Sequence, residues 1–255
     1  MSTDVSFYIP AYNAEKTIEK AINSILNQTA EVKEIIIIDD NSSDSTSEIV
    51  SKYNEIKLIK NKTNRGLGYN RNLAIKNCKN DLVASIDADV ELDKYWLSTL
   101  INNLKQTDIV MCGGKMEEKF ISVSTNAWRA KYYSQNWGDN DILNPQFLFG
   151  CNTVLVKKYW EKVSGYDEDF KTNGEDINFS NKLRNISNSN LLYSSLATCY
   201  HLQNDNVESL SNRVWRYHSF GYKIRKPSFL KLIKLTIKQL RFLAMRLFEN
   251  FLKLN

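Results

Sequence analysis

Leu82-Val83-Ala84-Ser85-Ile86-Asp87-Ala88-Asp89 joins a short apolar run to two carboxylates two positions apart. Such a run, bounded by acids, reads as a buried strand. Side chains at i and i+2 of an extended chain share a face, so a strand that stops at Ile86 delivers Asp87 and Asp89 to one point beyond its carboxyl end. Open α/β sheets bind ligands in that crevice. Two hard oxygen ligands suit Mg²⁺ or Mn²⁺, ions that keep waters and share substrate phosphates. The stretch therefore points to a metal–diphosphate site rather than an all-protein metal cage. By itself Asp-x-Asp is common, and a solvated loop after a strand is the plain alternative.

The flanking sequence alternates strand and helix signals. Val5 to Ile9 predicts a first strand. Ala14 to Gln28 has helical spacing, with Ile18, Ala21, Ile22, Ile25 and Leu26 on one face. Ile35-Ile36-Ile37-Ile38 is a buried strand, after which Ser43 or Asp44 is expected to cap a helix reaching about Lys52. Ile56 to Ile59, Leu82 to Ile86 and Ile109 to Cys112 predict further strands, with helices over Gly66 to Asn77 and Asp93 to Leu104. Alternation of this kind calls for a doubly wound α/β layer, a mostly parallel sheet covered on both faces. After Gly113-Gly114 the pattern is irregular: an aromatic stretch from Trp128 to Trp137, a strand-like run from Phe147 to Val156, helices over Lys158 to Val163 and Asp176 to Asn185, a strand from Leu191 to Tyr200, then helix.

The 255 residues are 42% hydrophobic and 25% charged, ordinary for a globular protein. Four scattered cysteines and two histidines argue against zinc and disulfide frameworks and fit a reducing cytoplasm. There is no basic leader with an apolar core and no run of eighteen apolar residues, so neither a secretory signal nor a spanning helix is expected. The net charge of +5 is uneven: residues 221–255 carry +8, leaving −3 on the rest.

In chain order the motifs are Ile9-Pro10-Ala11-Tyr12-Asn13, Ile38-Asp39-Asp40-Asn41-Ser42-Ser43-Asp44, Asn64-Arg65-Gly66-Leu67-Gly68 leading to Arg71-Asn72, Asp87-Ala88-Asp89, Gly165-Tyr166-Asp167-Glu168 and Gly174-Glu175-Asp176. In that order they resemble the family 2 glycosyltransferases of the GT-A fold over about residues 4–202. The resemblance implies a GT-A catalytic domain over 1–204, with a nucleotide-sugar half of about 1–115 and an acceptor half of about 116–204. Residues 205–255 then form a basic helical extension. It also implies an inverting displacement from a nucleotide sugar, with UDP-sugars favoured over GDP- or dTDP-sugars.

Each motif then has a physical task. Pro10 fixes the exit of the first strand, and Tyr12, beside Asn13, offers a flat ring near a base. Asp39, with Asp40 beside it, can accept an imide or amino proton of the base; the alternative is helix capping. Arg71 is expected to reach the base or the diphosphate, since guanidinium forks suit phosphate. The resemblance implies that Asp89 binds the Mn²⁺ or Mg²⁺ directly, that Asp87 contacts the ribose or the ion through water, and that the ion offsets charge on the departing diphosphate. It makes Asp176 the general base toward an acceptor hydroxyl, with Glu175 orienting the acceptor. His201 is a candidate third metal ligand or a packing residue. His218 reads as packing, and Arg213 and Arg216 as candidates for a phosphate. Asn212-Arg213-Val214-Trp215 replaces the Gln-x-x-Arg-Trp of processive members, which favours transfer of a single sugar.

Residues 229–254 read as an amphipathic helix with Lys231, Lys234, Lys238 and Arg241 on one side. Such a helix suits the cytoplasmic face of a membrane carrying anionic lipid, alongside a glycan or lipid-linked acceptor, or packing on the body or on a second copy in a homo-oligomer. Nucleic acid is not expected, because aromatics do not interleave with the basic residues. Two other functions compete. A sugar nucleotidyltransferase would carry a Gly-rich basic loop after the first strand, where Pro10-Ala11-Tyr12-Asn13-Ala14 stands instead. A non-catalytic carbohydrate-binding subunit would have lost acids that are all present.

Overall fold

A computed structural model describes residues 4–106, 108–225 and 237, with side chains described to 217 and at 237. In chain order the elements are β1 (Val5–Ala11), α1 (Ile18–Leu26), β2 (Glu34–Asp39), α2 (Thr46–Val50), β3 (Ile56–Lys60), α3 (Leu67–Asn77), β4 (Leu82–Ile86), β5 (Val90–Leu92) and α4 (Trp96–Leu104). They continue with β6 (Ile109–Glu118), α5 (Ser124–Tyr132), β7 (Ile142–Leu143), β8 (Asn152–Val156), α6 (Lys157–Lys162), α7 (Glu175–Arg184), β9 (Asn190–His201) and α8 (Val207–Arg225).

Among the described residues the strands form one nine-stranded sheet in the order β3-β2-β1-β4-β8-β6-β9-β5, with β7 pairing onto β9. Strands β1 to β4 are parallel, β8 runs against β4 and β6, and β6 and β9 are parallel. Six strands therefore point one way and β5, β7 and β8 the other. This is the expected α/β architecture, a mostly parallel sheet with helices on both faces.

The near-continuous apolar strands are explained by burial on both faces. All seven residues of β1 and all five of β4 are buried. Alternate residues feed two cores. Phe7, Ile9, Ile35 and Ile37 join α1 and α4 on one face, while Tyr8, Ile36, Ile38 and Val83 join α3 and α7 on the other. At roughly 25 cal/mol per Å² of apolar surface, these cores dominate the favourable side of folding.

Several boundaries differ from expectation. Strand β6 runs on through Gly113-Gly114 to Glu118, because Gly114 lets the chain pass where a Cβ would lie 2.1 Å from the Ala197 carbonyl oxygen. Only Asn152–Val156 of the strand-like run from Phe147 is strand. Helix α2 starts at Thr46, with no side-chain cap from Ser45; the Asp44 carboxylate accepts from the Thr46 N–H (3.0 Å). The proposed amphipathic helix of 229–254 lies outside the described residues except for 237, and His218 lies outside the described side chains. No helix among the described residues is long and apolar enough to cross a membrane.

Candidate active site

The order β3-β2-β1-β4 reverses chain direction across the sheet between β1 and β4, the switch point at which open α/β sheets bind ligands. Asp87-Ala88-Asp89 leaves β4 there. It is a tight turn, closed by a hydrogen bond from Val90 N–H to Asp87 C=O (3.1 Å), rather than an extension of the strand. Even so, both carboxylates line one cavity of about 400 Å³, together with Arg71, Glu175, Asp176 and His201. Elements distant in sequence thus converge: α3, the β4–β5 turn, the start of α7 and the end of β9.

Arg71 reaches the cavity where the diphosphate is expected, but its guanidinium is already engaged by the protein. It is 1% exposed, and its guanidinium bonds protein atoms: Ser85 Oγ at 2.6 Å, the Gly150 carbonyl at 2.8 Å and Asp87 Oδ1 at 3.0 Å, with Glu175 Oε1 3.4 Å from Nε. The reason is local. Helix α3 faces the sheet, so the long side chain at position 71 reaches the cavity from within the fold, where the carboxyls of Asp87 and Glu175 flank it. Arg71 is thus a strut between Asp87 and Glu175.

Glu175 and Asp176 open α7. Gly174 precedes them with φ +91°, a left-handed conformation that favours glycine. It turns the chain so that Glu175 points inward, buried, and Asp176 faces the cavity. Asp176 Oδ1 accepts from the Ile177 N–H (2.8 Å) and Oδ2 from the Gly150 N–H (3.3 Å). Burial pushes the Glu175 carboxyl up to about 8, reinforced by the adjacent Asp176 and opposed by Arg71. Burial also raises Asp176, against the two N–H donors and Arg71. Asp87 is raised by burial and by Asp89, again opposed by Arg71.

Asp89 behaves oppositely. Burial works against its charge, but His201 outweighs that, with help from Arg213, and holds it at about 2. His201 Nε2 lies 3.2 Å from Asp89 Oδ2, and Nδ1 lies 3.1 Å from Glu118 Oε2. Glu118 is gripped by Arg129, with Nε to Oε1 at 2.7 Å and Nη2 to Oε2 at 2.5 Å. Neither Glu118 nor Arg129 stands out in the sequence. The available signal was parity: Cys112, Gly114, Met116 and Glu118 share one face of a strand, provided the strand continues past Gly113-Gly114.

Pro10, Tyr12, Asn13, Asp39 and Asp40 cluster at the ends of β1 and β2, outside the lining of that cavity. Tyr12 is 55% exposed. Asn13 ties the two loops, with Oδ1 accepting from the Ser43 N–H (2.8 Å) and its own N–H donating to Ser42 Oγ (3.0 Å). The Asp39 carboxylate accepts from the Ser42 N–H (2.9 Å) and from the Ser47 hydroxyl. Asp40 accepts from the N–H groups of Arg65 and Gly66, both at 2.8 Å, and from Asn61. Its work in this structure is to anchor the turn into α3. Arg213, Arg216 and Tyr217 of α8 also line the cavity, as do Phe147 and Phe149. Trp215 is 73% exposed.

Residues 6–164 match the model of glycosyl transferase family 2. This chain is a family 2 glycosyltransferase. Poly-beta-1,6-N-acetyl-D-glucosamine synthase of Staphylococcus aureus is 29% identical over 98% of this chain and 61% of its own length. An uncharacterized glycosyltransferase of Haemophilus influenzae is 30% identical over 66% of this chain and 58% of its own. The glycosyltransferase described here thus spans about three fifths of the length of these curated relatives. Among solved structures, S. aureus TarS 1–349 in complex with UDP-GlcNAc superposes with a TM-score of 0.64 at 22% identity, covering 82% of this chain and 60% of the 1–349 chain. The mannosyltransferase PcManGT of Pyrobaculum calidifontis, in complex with GDP-Man and Mn²⁺, gives 0.63 at 17%, covering 80% and 58%. These structural likenesses establish the GT-A fold. Family membership sets aside the nucleotidyltransferase reading.

Proposed function

We propose that this glycosyltransferase moves a sugar from a UDP-sugar to a hydroxyl of a glycan or lipid-linked acceptor, with inversion and with a divalent ion. The observation that carries the proposal is the convergence of Asp87, Asp89, His201, Glu175 and Asp176 on one cavity at the sheet's switch point. Two relatives favour an N-acetylglucosamine donor as the first to try: the S. aureus synthase by its name and TarS by its bound UDP-GlcNAc.

The donor set fits a divalent ion. Asp89 Oδ2 and His201 Nε2 are 3.2 Å apart, a separation that two ligands of one ion tolerate, and oxygen plus imidazole suits Mn²⁺. Among the described residues no three His, Cys, Asp or Glu side chains form a self-sufficient metal centre, and Asp87 is drawn toward Arg71. The diphosphate itself would complete the ligand shell, as is usual for such ions. When bound, the ion offsets negative charge on the leaving diphosphate.

The protein's own residues do the rest. Tyr12, exposed just beyond β1, and Asp39, buried at the end of β2, would take the base; Asp39 oxygens that each accept one proton retain a second lone pair. Asp176 would accept the proton of the acceptor hydroxyl as its oxygen bonds the anomeric carbon and the bond to the diphosphate breaks. Its raised pKa makes it a better base than an ordinary aspartate. Glu175, buried and held by Arg71, would fix the start of α7 rather than touch the acceptor. Phe147 and Phe149 give the acceptor side an apolar wall.

The test is release of nucleoside diphosphate from UDP-, GDP- and dTDP-sugars, with Mn²⁺ and with chelator, over a panel of glycan and polyprenyl-linked acceptors. The expected result is metal-dependent release from a UDP-sugar that requires acceptor. Turnover unaffected by chelator would overturn the metal assignment.

A further inference from the structure

We infer that Glu118 and Arg129 are positioning residues that present the His201 imidazole to the divalent ion of the donor site. The inference rests on the metal-dependent reading above and names two residues that the reading did not require.

Backbone geometry sets the arrangement. In β9, His201 lies in register between Glu118 of β6 on one side and Val90 of β5 on the other, next to Asp89. The Leu202 N–H donates to the Asp89 carbonyl (2.8 Å), and the Lys119 N–H donates to the His201 carbonyl (3.1 Å). Three strand ends are thereby tied at one level. The imidazole sits between two carboxylates, with Nδ1 toward Glu118 and Nε2 toward Asp89 and the cavity.

An ionised carboxylate only accepts hydrogen bonds. Glu118 therefore requires the proton on Nδ1, and Nε2, whose own proton faces the ionised Asp89, is the nitrogen that would release a proton to an incoming ion and ligate it, the usual way in which an outer carboxylate fixes a metal-binding histidine. Arg129 keeps Glu118 in that role. It is 3% exposed, and its fork holds both Glu118 oxygens, so the carboxylate can neither swing into the cavity nor readily take up a proton that would reverse its polarity toward Nδ1. The remaining donors of Arg129 reach the Gln203 carbonyl (2.8 Å) and Asp205, and Asp205 lies 3.2 Å from Arg213 Nε of α8. The histidine is thus braced from behind by buried charges alternating in sign.

A purely structural role for the Glu118–Arg129 pair would change folding stability and nothing else. Manganese affinity separates the two accounts. The experiment titrates Mn²⁺ into the full chain with saturating UDP, and records the imidazole-nitrogen coupling to bound Mn²⁺ by pulsed EPR, for the native chain, His201→Ala, Glu118→Gln and Arg129→Lys. The native complex is expected to show a nitrogen coupling that His201→Ala removes. Glu118→Gln is expected to weaken Mn²⁺ about 10- to 100-fold, and Arg129→Lys by less, with UDP binding in the absence of metal unchanged. Should Glu118→Gln fail to fold, Arg129→Lys, which keeps the charge and loses the fork, carries the comparison. Native Mn²⁺ affinity in the folded variants, or a native complex without nitrogen coupling, would overturn the inference while leaving a metal-dependent donor site intact. If the native chain binds no UDP with or without Mn²⁺, the proposed function fails first and this inference with it.

Discussion

At the scale of single residues, the site divides its acids by environment. Asp89 is held ionised by His201, whereas Glu175 and Asp176 are pushed up by burial. Asp176→Asn is expected to lower kcat about 10²- to 10⁴-fold and to leave UDP affinity, measured by calorimetry, unchanged. An equal loss of UDP binding would move Asp176 to the donor side. The pH dependence of stability follows from Glu175. Its carboxyl titrates near 8 folded against an ordinary 4.5, so the native state keeps a proton that the unfolded chain has lost across that window. Its contribution is full below the ordinary value and fades as pH rises through 8. Urea unfolding should therefore show native stability falling from pH 5 to pH 8 relative to Glu175→Gln, which carries no titrating group there. Parallel curves for the two proteins would contradict the assignment. Arg71→Met removes the buried cation held between the part-exposed Asp87 and the buried Glu175 carboxyl and should cost well over the ~1 kcal/mol of an exposed ion pair in the same assay. A cost below about 1 kcal/mol, the range of exposed ion pairs, would show that Arg71 is no strut.

At the scale of elements, close backbone approaches position the acids. The N-terminus of α3 packs on the loop that leads to α7: the Leu67 N–H donates to the Lys171 carbonyl (2.8 Å) and the Gly68 N–H to the Phe170 carbonyl (3.1 Å). A Cβ at Gly68 would lie 2.4 Å from the Asp167 carbonyl oxygen. Gly68→Ala should thus push that loop off α3, costing about 1–3 kcal/mol and lowering kcat through the displaced start of α7. An unchanged thermal midpoint and kcat would show that the approach is slack. Strands β1, β2 and β4 were legible as apolar runs, and β3 by Ile56, Leu58 and Ile59 between polar stretches. Strand β6 was legible only to Cys112, since two glycines resemble a strand end, and what makes them strand is the close passage of β9, a contact between residues far apart in sequence. Glu118 was hidden by the same fact. Arg71 was visible as a residue but not as a strut, because its partners Gly150 and Glu175 follow it by 79 and 104 positions.

At the scale of the whole molecule, the sheet order places β1 and β4 side by side, so that the loops after β1, β2 and β4 leave the same end of the sheet, and the turn after β4 meets the end of β9 and the start of α7 at the cavity. The alternation of elements in the first hundred residues made this half readable. The second half was not, because β8 runs antiparallel and inserts between β4 and β6, an arrangement that no periodicity encodes. The central claim is that this crevice is a metal-assisted donor site for a nucleoside diphosphate. Its most direct test is calorimetric titration of UDP, GDP and dTDP into the full chain, with and without Mn²⁺, beside Asp89→Ala. The account predicts UDP binding that strengthens with Mn²⁺ in the native chain and gains nothing from Mn²⁺ in the variant. Binding of no nucleotide by the native chain, or equal Mn²⁺ enhancement in Asp89→Ala, would contradict it.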